Sequence, residues 1–381
     1  MHSINLHLPQ QIMFGNGCLD DFIHEFSAMS FRKVMVIADP LVEEVAQKVV
    51  SRLQSKGISY HVNMNISAEP TVSMFNGVLK EANQNSIDAV IGIGGGSVLD
   101  VAKLVAALCG TGAKIEDVFG HGKIADRKHF LACLPTTAGT GSEVSPNSIL
   151  LDDTDNQKKA AISPYLVPDI ACVDPILTHS IPPSVTAYTG IDAMTHCIEA
   201  YANRHAHPMI DLYALEGIRL LFENLPIAFE NGSDSDAREK ISLGSLYGGI
   251  CLGPVNTAAV HAIAYPLGSG YGLPHGLSNA LLLPHVLEYN LPEGVDRYAT
   301  IANKIGVKEE KTDMEKAREG IAKIRALCQR LGIPDKLNDF NISVSDVPAM
   351  TKSAFLVQRL LKNNPRVLSE KDIENIYLKL Y

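Results

Sequence analysis

The stretch Ala89-Val90-Ile91-Gly92-Ile93-Gly94-Gly95-Gly96-Ser97 decides how the chain is to be read. An apolar, β-branched run stops abruptly on glycines, and residues 99–109 then carry apolar positions at helical spacing. A short apolar run bounded by a turn signal suits a strand buried on both faces. Glycines between a strand and a helix leave backbone N–H groups bare, so a pyrophosphate can approach the positive end of the helix. Taken alone, such a loop serves equally well as a structural turn.

The surroundings favour the nucleotide reading. Residues 34–38 form another β-branched run that ends on Asp39, helix-like periodicity follows to residue 53, and a strand at 59–63 and a helix at 73–83 come next. Further strands are expected at 130–134 and 170–173. This alternation implies a mainly parallel sheet with helices on both faces. At the tip of its strand, the Asp39 carboxylate is placed to accept from ribose hydroxyls and to repel a 2′-phosphate, favouring NAD over NADP. The acid precedes the glycines, the reverse of the usual dinucleotide fingerprint, so the fold is related to that one but distinct. Pro135-Thr136-Thr137-Ala138-Gly139-Thr140-Gly141-Ser142-Glu143 concentrates hydroxyls and glycines just after a strand, as donors for phosphate or ribose or as a Ser/Thr turn.

The pattern changes at Ser180-Ile181-Pro182-Pro183-Ser184. Beyond it the signals are almost all helical, at 185–201, 208–229, 236–252, 255–264, 316–331 and 370–380. The expected organisation is an α/β dinucleotide-binding domain over residues 1–181 and an all-helical metal and substrate domain over 182–381.

Composition narrows the function classes. With 381 residues, 46% hydrophobic and 20% charged, the chain has ample material for two cores. A net charge of −9 argues against nucleic acid or an anionic membrane as partner. The seven cysteines are scattered, without a C-x-x-C pair, and read as buried thiols of a reducing compartment. Met1-His2-Ser3-Ile4-Asn5 lacks the basic and apolar regions of a secretory signal, and no apolar run reaches the length of a membrane span. A cytoplasmic protein is expected.

Asp192 and His196 lie four residues apart within a helical pattern, so one helix face carries both. His261 sits among apolar residues, where an unpartnered imidazole would be costly, and His275 lies in a Pro-His-Gly turn. Each has an ordinary explanation: a surface pair, a core histidine bonded to a carbonyl, an exposed loop. Together they offer one carboxylate and three imidazoles, a mixed N/O set that suits Fe²⁺ or Zn²⁺ better than Mg²⁺ or Ca²⁺.

Phe14-Gly15-Asn16-Gly17, residues 94–103, 135–143 and 190–201, His261, Pro274-His275-Gly276 and Asn364-Pro365-Arg366 occur in this order along nearly the whole chain. In these motifs the sequence resembles the iron-containing (group III) alcohol dehydrogenases of the dehydroquinate synthase-like superfamily. The resemblance implies a metal, ferrous iron or zinc, on Asp192, His196, His261 and His275. It implies NAD contacts at Asp39, Gly95, Gly96, Ser97, Asp100, Thr136, Thr137 and Thr140, and also at Ser145, Asn147, Lys158 and Leu177. It further implies a small alcohol or aldehyde as substrate and a homodimer.

One position departs from the family pattern: the histidine that many members carry four residues after the third ligand is Tyr265 here. A phenol in that place can donate or relay a proton but does not titrate near neutrality. Arg359 or Lys362 would favour an anionic substrate, although solvated charges on a helix are the simpler explanation of both. Two other functions fit the same motifs: a lyase or hydroxyacid–oxoacid transhydrogenase of the superfamily that uses NAD and a metal, and a non-catalytic metal-binding protein.

Overall fold

In the computed structural model, which describes residues 2–66, 69–308 and 310–381, the run from Ala89 becomes an inner strand of a six-stranded sheet. Met1, where the N-terminal reading began, lies outside the described residues. In chain order the first elements are β1 (Gln11–Phe14), α1 (Cys18–Phe26), β2 (Lys33–Ala38), α2 (Glu43–Ser55), β3 (Ser59–Asn63), α3 (Val72–Asn85), β4 (Ala89–Gly94) and α4 (Gly96–Leu108). There follow α5 (Ile115–Val118), β5 (Gly120–His121), β6 (Phe130–Pro135), β7 (Asn147–Asp152), β8 (Gln157–Ile162) and β9 (Ile170–Val173). The main sheet has the order β1-β9-β6-β4-β2-β3, parallel throughout. A second sheet, β5-β8-β7, contains the antiparallel β7–β8 pair.

Alternate residues of each inner strand serve opposite layers, which is why the strands read as unbroken apolar runs. Met35 and Ile37 join Val90, Leu131 and Cys133 in a core with residues of α3 and α4. Val34, Val36 and Ala38 join Ile91, Ile93, Ala132 and Leu134 in a core with residues of α1 and α2.

The turn from β4 into α4 is fastened by a buried lysine. Lys103 is 0% exposed, and its ammonium donates to the Ser142 carbonyl (2.9 Å), the Ser142 hydroxyl (3.1 Å) and the Asn147 carbonyl. One turn earlier, the Asp100 carboxylate accepts from the Ser142 hydroxyl (2.5 Å) and the Ile149 N–H (2.8 Å). Helix α4 is thereby tied to the segment after β6 and to β7. Burial pushes the Asp100 carboxyl up and the Lys103 ammonium down, each opposed by the other's charge.

The remaining helices are α6 (Pro183–Tyr201), α7 (Pro208–Glu230), α8 (Ser235–Leu252), α9 (Ala259–Tyr271), α10 (His275–Asn290), α11 (Val295–Lys304), α12 (Asp313–Arg330), α13 (Val347–Phe355), α14 (Gln358–Leu361) and α15 (Glu370–Leu378). Helices α6, α7 and α8 pack closely: a Cβ on Gly217 would stand 2.6 Å from the Cys197 sulfur. The chain divides into two compact units, Leu6–Ser180 and Ile181–Tyr381, and the residues up to Asn5 group with the helical one. There the His2 ring meets the His207 ring edge-on at 5.4 Å. Among the described residues no helix is long and apolar enough to cross a membrane.

Replacing Lys103 with methionine would leave Asp100 without its cation and orphan buried acceptors. Lys103→Met is expected to destabilise the strand–helix unit by about 3 kcal/mol, read as a lower urea midpoint. An unchanged midpoint would remove the fastening role.

Candidate functional site

Asp192 and His196 lie one turn apart in the middle of α6, both buried. His261 is in the first turn of α9, and His275 is the first residue of α10, so the expected Pro-His-Gly turn is the start of a helix. That start is fixed by a close crossing, because a Cβ on Gly276 would stand 2.3 Å from the Tyr188 carbonyl oxygen of α6. Only glycine lets the two backbones approach enough to bring His275 to Asp192.

The structure brings all four side chains together. From Asp192 Oδ1 the Nε2 atoms of His261, His275 and His196 are 3.4, 3.7 and 3.8 Å away. The His196 and His261 rings stack with centroids 4.8 Å apart. A ligand atom from each of Asp192, His261 and His275 lies within 4.8 Å of the others.

Two further residues orient these groups. Glu199 Oε2 lies 2.6 Å from His261 Nδ1, while Oε1 accepts the Val260 N–H at 2.6 Å. Asn279 donates to Asp192 Oδ1 at 2.6 Å and lies 3.2 Å from His275 Nε2. Neither was singled out in the sequence, yet each had a spacing signal: Glu199 follows His196 by three residues and Asn279 follows His275 by four, on shared helix faces. A carboxylate or amide behind a ligand is the usual device for fixing its tautomer and direction.

The electrostatics fit a divalent cation. Burial pushes the Asp192 carboxyl up, but the imidazoles of His196, His275 and His261 outweigh it and hold it well below the ordinary carboxylate range. Burial works against charge on His261 too, yet Glu199 and Asp192 push its imidazole up to about 10. A pocket that favours positive charge so strongly on a proton favours it on a metal for the same reason. Nε2 of His261 is buried and engaged in no well-formed hydrogen bond, which leaves it as a donor atom. Three imidazoles and a carboxylate match ferrous iron or zinc.

The nucleotide candidates separate into groups. Gly95 is the N-cap of α4, and Gly96 and Ser97 are in its first turn. A Cβ on Gly96 would stand 2.5 Å from Thr140 Cγ2, and one on Gly95 would stand 3.5 Å from Thr137 Oγ1, so these threonines lie directly against the bare loop. Thr136 is buried beside them, its N–H donating to the Gly94 carbonyl at 3.0 Å. Asp39 follows β2 and caps the next turn by accepting from the Leu41 N–H at 2.9 Å.

Asp100, Ser145 and Asn147 gather instead around Lys103, with Ser145 Oγ 3.5 Å from its ammonium and Asn147 Oδ1 buried without a hydrogen bond. Lys158, on β8, pairs with Glu69 at 2.9 Å. Leu177 packs into the core beneath α1 and α2.

The sequence model of the iron-containing alcohol dehydrogenases matches residues 9–175, and that of the C-terminal part of the same family matches 186–381. The chain belongs to this family of oxidoreductases. A long-chain-alcohol dehydrogenase of Geobacillus thermodenitrificans is 37% identical over 95% of this chain and 93% of its own length. The crystal structure of a 1,3-propanediol oxidoreductase superposes with a TM-score of 0.96 at 29% identity, covering 100% of both chains. A sulfoacetaldehyde reductase from Bifidobacterium kashiwanohense, solved in complex with NAD⁺, gives 0.89 at 29% identity over 100% of this chain and 99% of that one.

Against the family pattern, Tyr265 lies one turn after His261 in α9, buried, with its ring centroid 6.1 Å from that of His275. Helix α9 continues through Pro266, so the shared face with His261 is kept. The Tyr265 hydroxyl accepts from Arg359 at 3.1 Å.

His285 lies outside the ligand group, buried in α10. Burial, then the Arg325 charge, press its imidazole down to about 4 from an ordinary 6.5. The unfolded chain takes up this proton first, so its contribution to stability is present above pH 6.5 and is lost as pH falls toward 4. His285→Leu is expected to flatten the acid limb of the stability–pH curve over that window; an unaltered limb would show that another group sets it. Gly276→Ala should push α10 off α6 and lower affinity for Zn²⁺ or Fe²⁺ by roughly tenfold or more, measured by chelator competition. Unchanged affinity would mean that the crossing does not set the geometry.

Proposed function

We propose that this family member transfers a hydride between NAD(H) and a small alcohol or aldehyde at a site built on Asp192, His196, His261 and His275. The observation that carries the reading is the convergence of three Nε2 atoms on one buried carboxylate oxygen. Bound there, ferrous iron or zinc would supply Lewis acidity to the substrate oxygen, with NAD as the carrier of the hydride.

The protein's own part is positioning and charge. Glu199 holds the His261 ring with Nδ1 inward to itself and Nε2 toward Asp192, while Asn279 fixes the carboxylate. The N–H groups at Gly95, Gly96 and Ser97, with the hydroxyls of Thr136, Thr137 and Thr140, are assigned to the cofactor phosphates and ribose. Asp39 takes the adenosine ribose and selects NAD over NADP. Asp100, Ser145 and Asn147 support this loop through Lys103, and Lys158 and Leu177 keep weaker places in the set. Tyr265 offers a hydroxyl beside His275 as hydrogen-bond partner or proton donor to the substrate oxygen. A homodimer working in the cytoplasm completes the reading.

Asp192→Ala and His261→Ala should each abolish absorbance change at 340 nm with a panel of alcohols and NAD⁺, while circular dichroism stays near wild type. Turnover by wild-type protein shown by elemental analysis to be free of metal would reject the metal's part. Product formed without net NADH would point to transhydrogenation instead.

A further inference from the structure

Arg359 is the second residue of the short helix α14 and is solvent-exposed, but its guanidinium is not simply dissolved in water. It donates through Nη2 to the hydroxyl of Tyr265, whose ring centroid lies 6.1 Å from that of the candidate ligand His275. Among the described residues no carboxylate lies within ion-pair distance of it. Arg32, Arg127, Arg219, Arg297, Arg325 and Arg330 each pair with an acid, and Arg359 is set apart from the remaining arginines by its bond to a phenol beside a candidate metal ligand. A phenol oxygen uses one of the five N–H donors of a guanidinium and none of its charge. The rest of the planar fork is the arrangement that grips a carboxylate or sulfonate in two parallel hydrogen bonds.

Resting on the oxidoreductase reading above, we propose that Arg359 is a specificity-determining residue that selects substrates bearing an anionic group a few bonds from the carbonyl or carbinol carbon. The Tyr265 phenol anchors the guanidinium one side chain away from His275, so a bound substrate places its oxygen at the ligand cluster and its anion at Arg359. In a protein of net charge −9, Arg359 supplies a local positive charge where an anionic substrate would otherwise meet a repelling field. The reaction remains a two-electron exchange: an anionic aldehyde gains a hydride from NADH and a proton, giving the hydroxy acid and NAD⁺.

The test compares succinic semialdehyde with pentanal, matched in length and different in charge, on metal-loaded wild type, Arg359→Gln and Arg359→Lys. Wild type is expected to prefer the anionic aldehyde in kcat/KM by roughly 10- to 100-fold, the range of a charge-assisted hydrogen bond. Arg359→Gln should bring the ratio toward one, and Arg359→Lys should restore part of it. A purely structural role would lower both substrates together and leave the ratio intact, which overturns the proposal, as does a wild type without preference.

Failure to reduce any aldehyde would sink the oxidoreductase reading instead. In that event calorimetry with 4-hydroxybutyrate against pentan-1-ol decides: tighter binding of the anion, lost in Arg359→Gln, upholds the selectivity, and equal binding refutes it.

Discussion

A carboxylate that is 2% exposed keeps its charge only if positive charge or strong donors surround it, and Asp192 is such a group. The helical unit is arranged around that demand. Helix α6 supplies the carboxylate and one imidazole, α9 and α10 each supply another at their first turns, and α10 adds the Asn279 amide. Removing any one of these leaves a buried charge less compensated, so the interactions act as a set. The same crowding of donors around one oxygen makes a cation the natural occupant.

The demand reaches back into packing. Three helices can put donor atoms within 4.8 Å of one another only if their backbones come unusually close. At α6 and α10 this is achieved by Gly276 against the Tyr188 carbonyl, and behind α6 by Gly217 against Cys197. Residues without side chains are thus as much a part of the site as its ligands. The strand–helix unit shows the same logic at Gly96, which would collide with Thr140 if it carried a Cβ.

What the sequence made legible follows from burial. Strands β2, β4, β6 and β9 are sealed on both faces and appear as unbroken apolar runs. Strand β1 is a half-buried edge strand, and the β7–β8 pair carries Lys158 and Lys159, so neither has that signature. Helix α10 has no clear sequence signature because apolar residues surround it and Pro284 lies inside it, leaving no amphipathic stripe. The four candidate ligands were legible through type and spacing together with a family resemblance. Glu199 and Asn279 were overlooked although their spacing was visible, since a ligand's supporting partner is recognised only once the ligand's direction is known. Asp100 illustrates the converse, a carboxylate in a binding motif whose two oxygens are engaged by Ser142 and Ile149.

Helix α9 carries His261 in its first turn and Tyr265 in the next, and the two turns are held differently. Its first turn, which carries His261, is clamped by Glu199 through both the Val260 N–H and the His261 ring. The next turn carries Tyr265 and then Pro266, which has no N–H to give to the Ala262 carbonyl, so this turn has one backbone bond fewer. The turn that lacks this bond is the one whose phenol meets Arg359, while the turn of His261 keeps its clamp to Glu199.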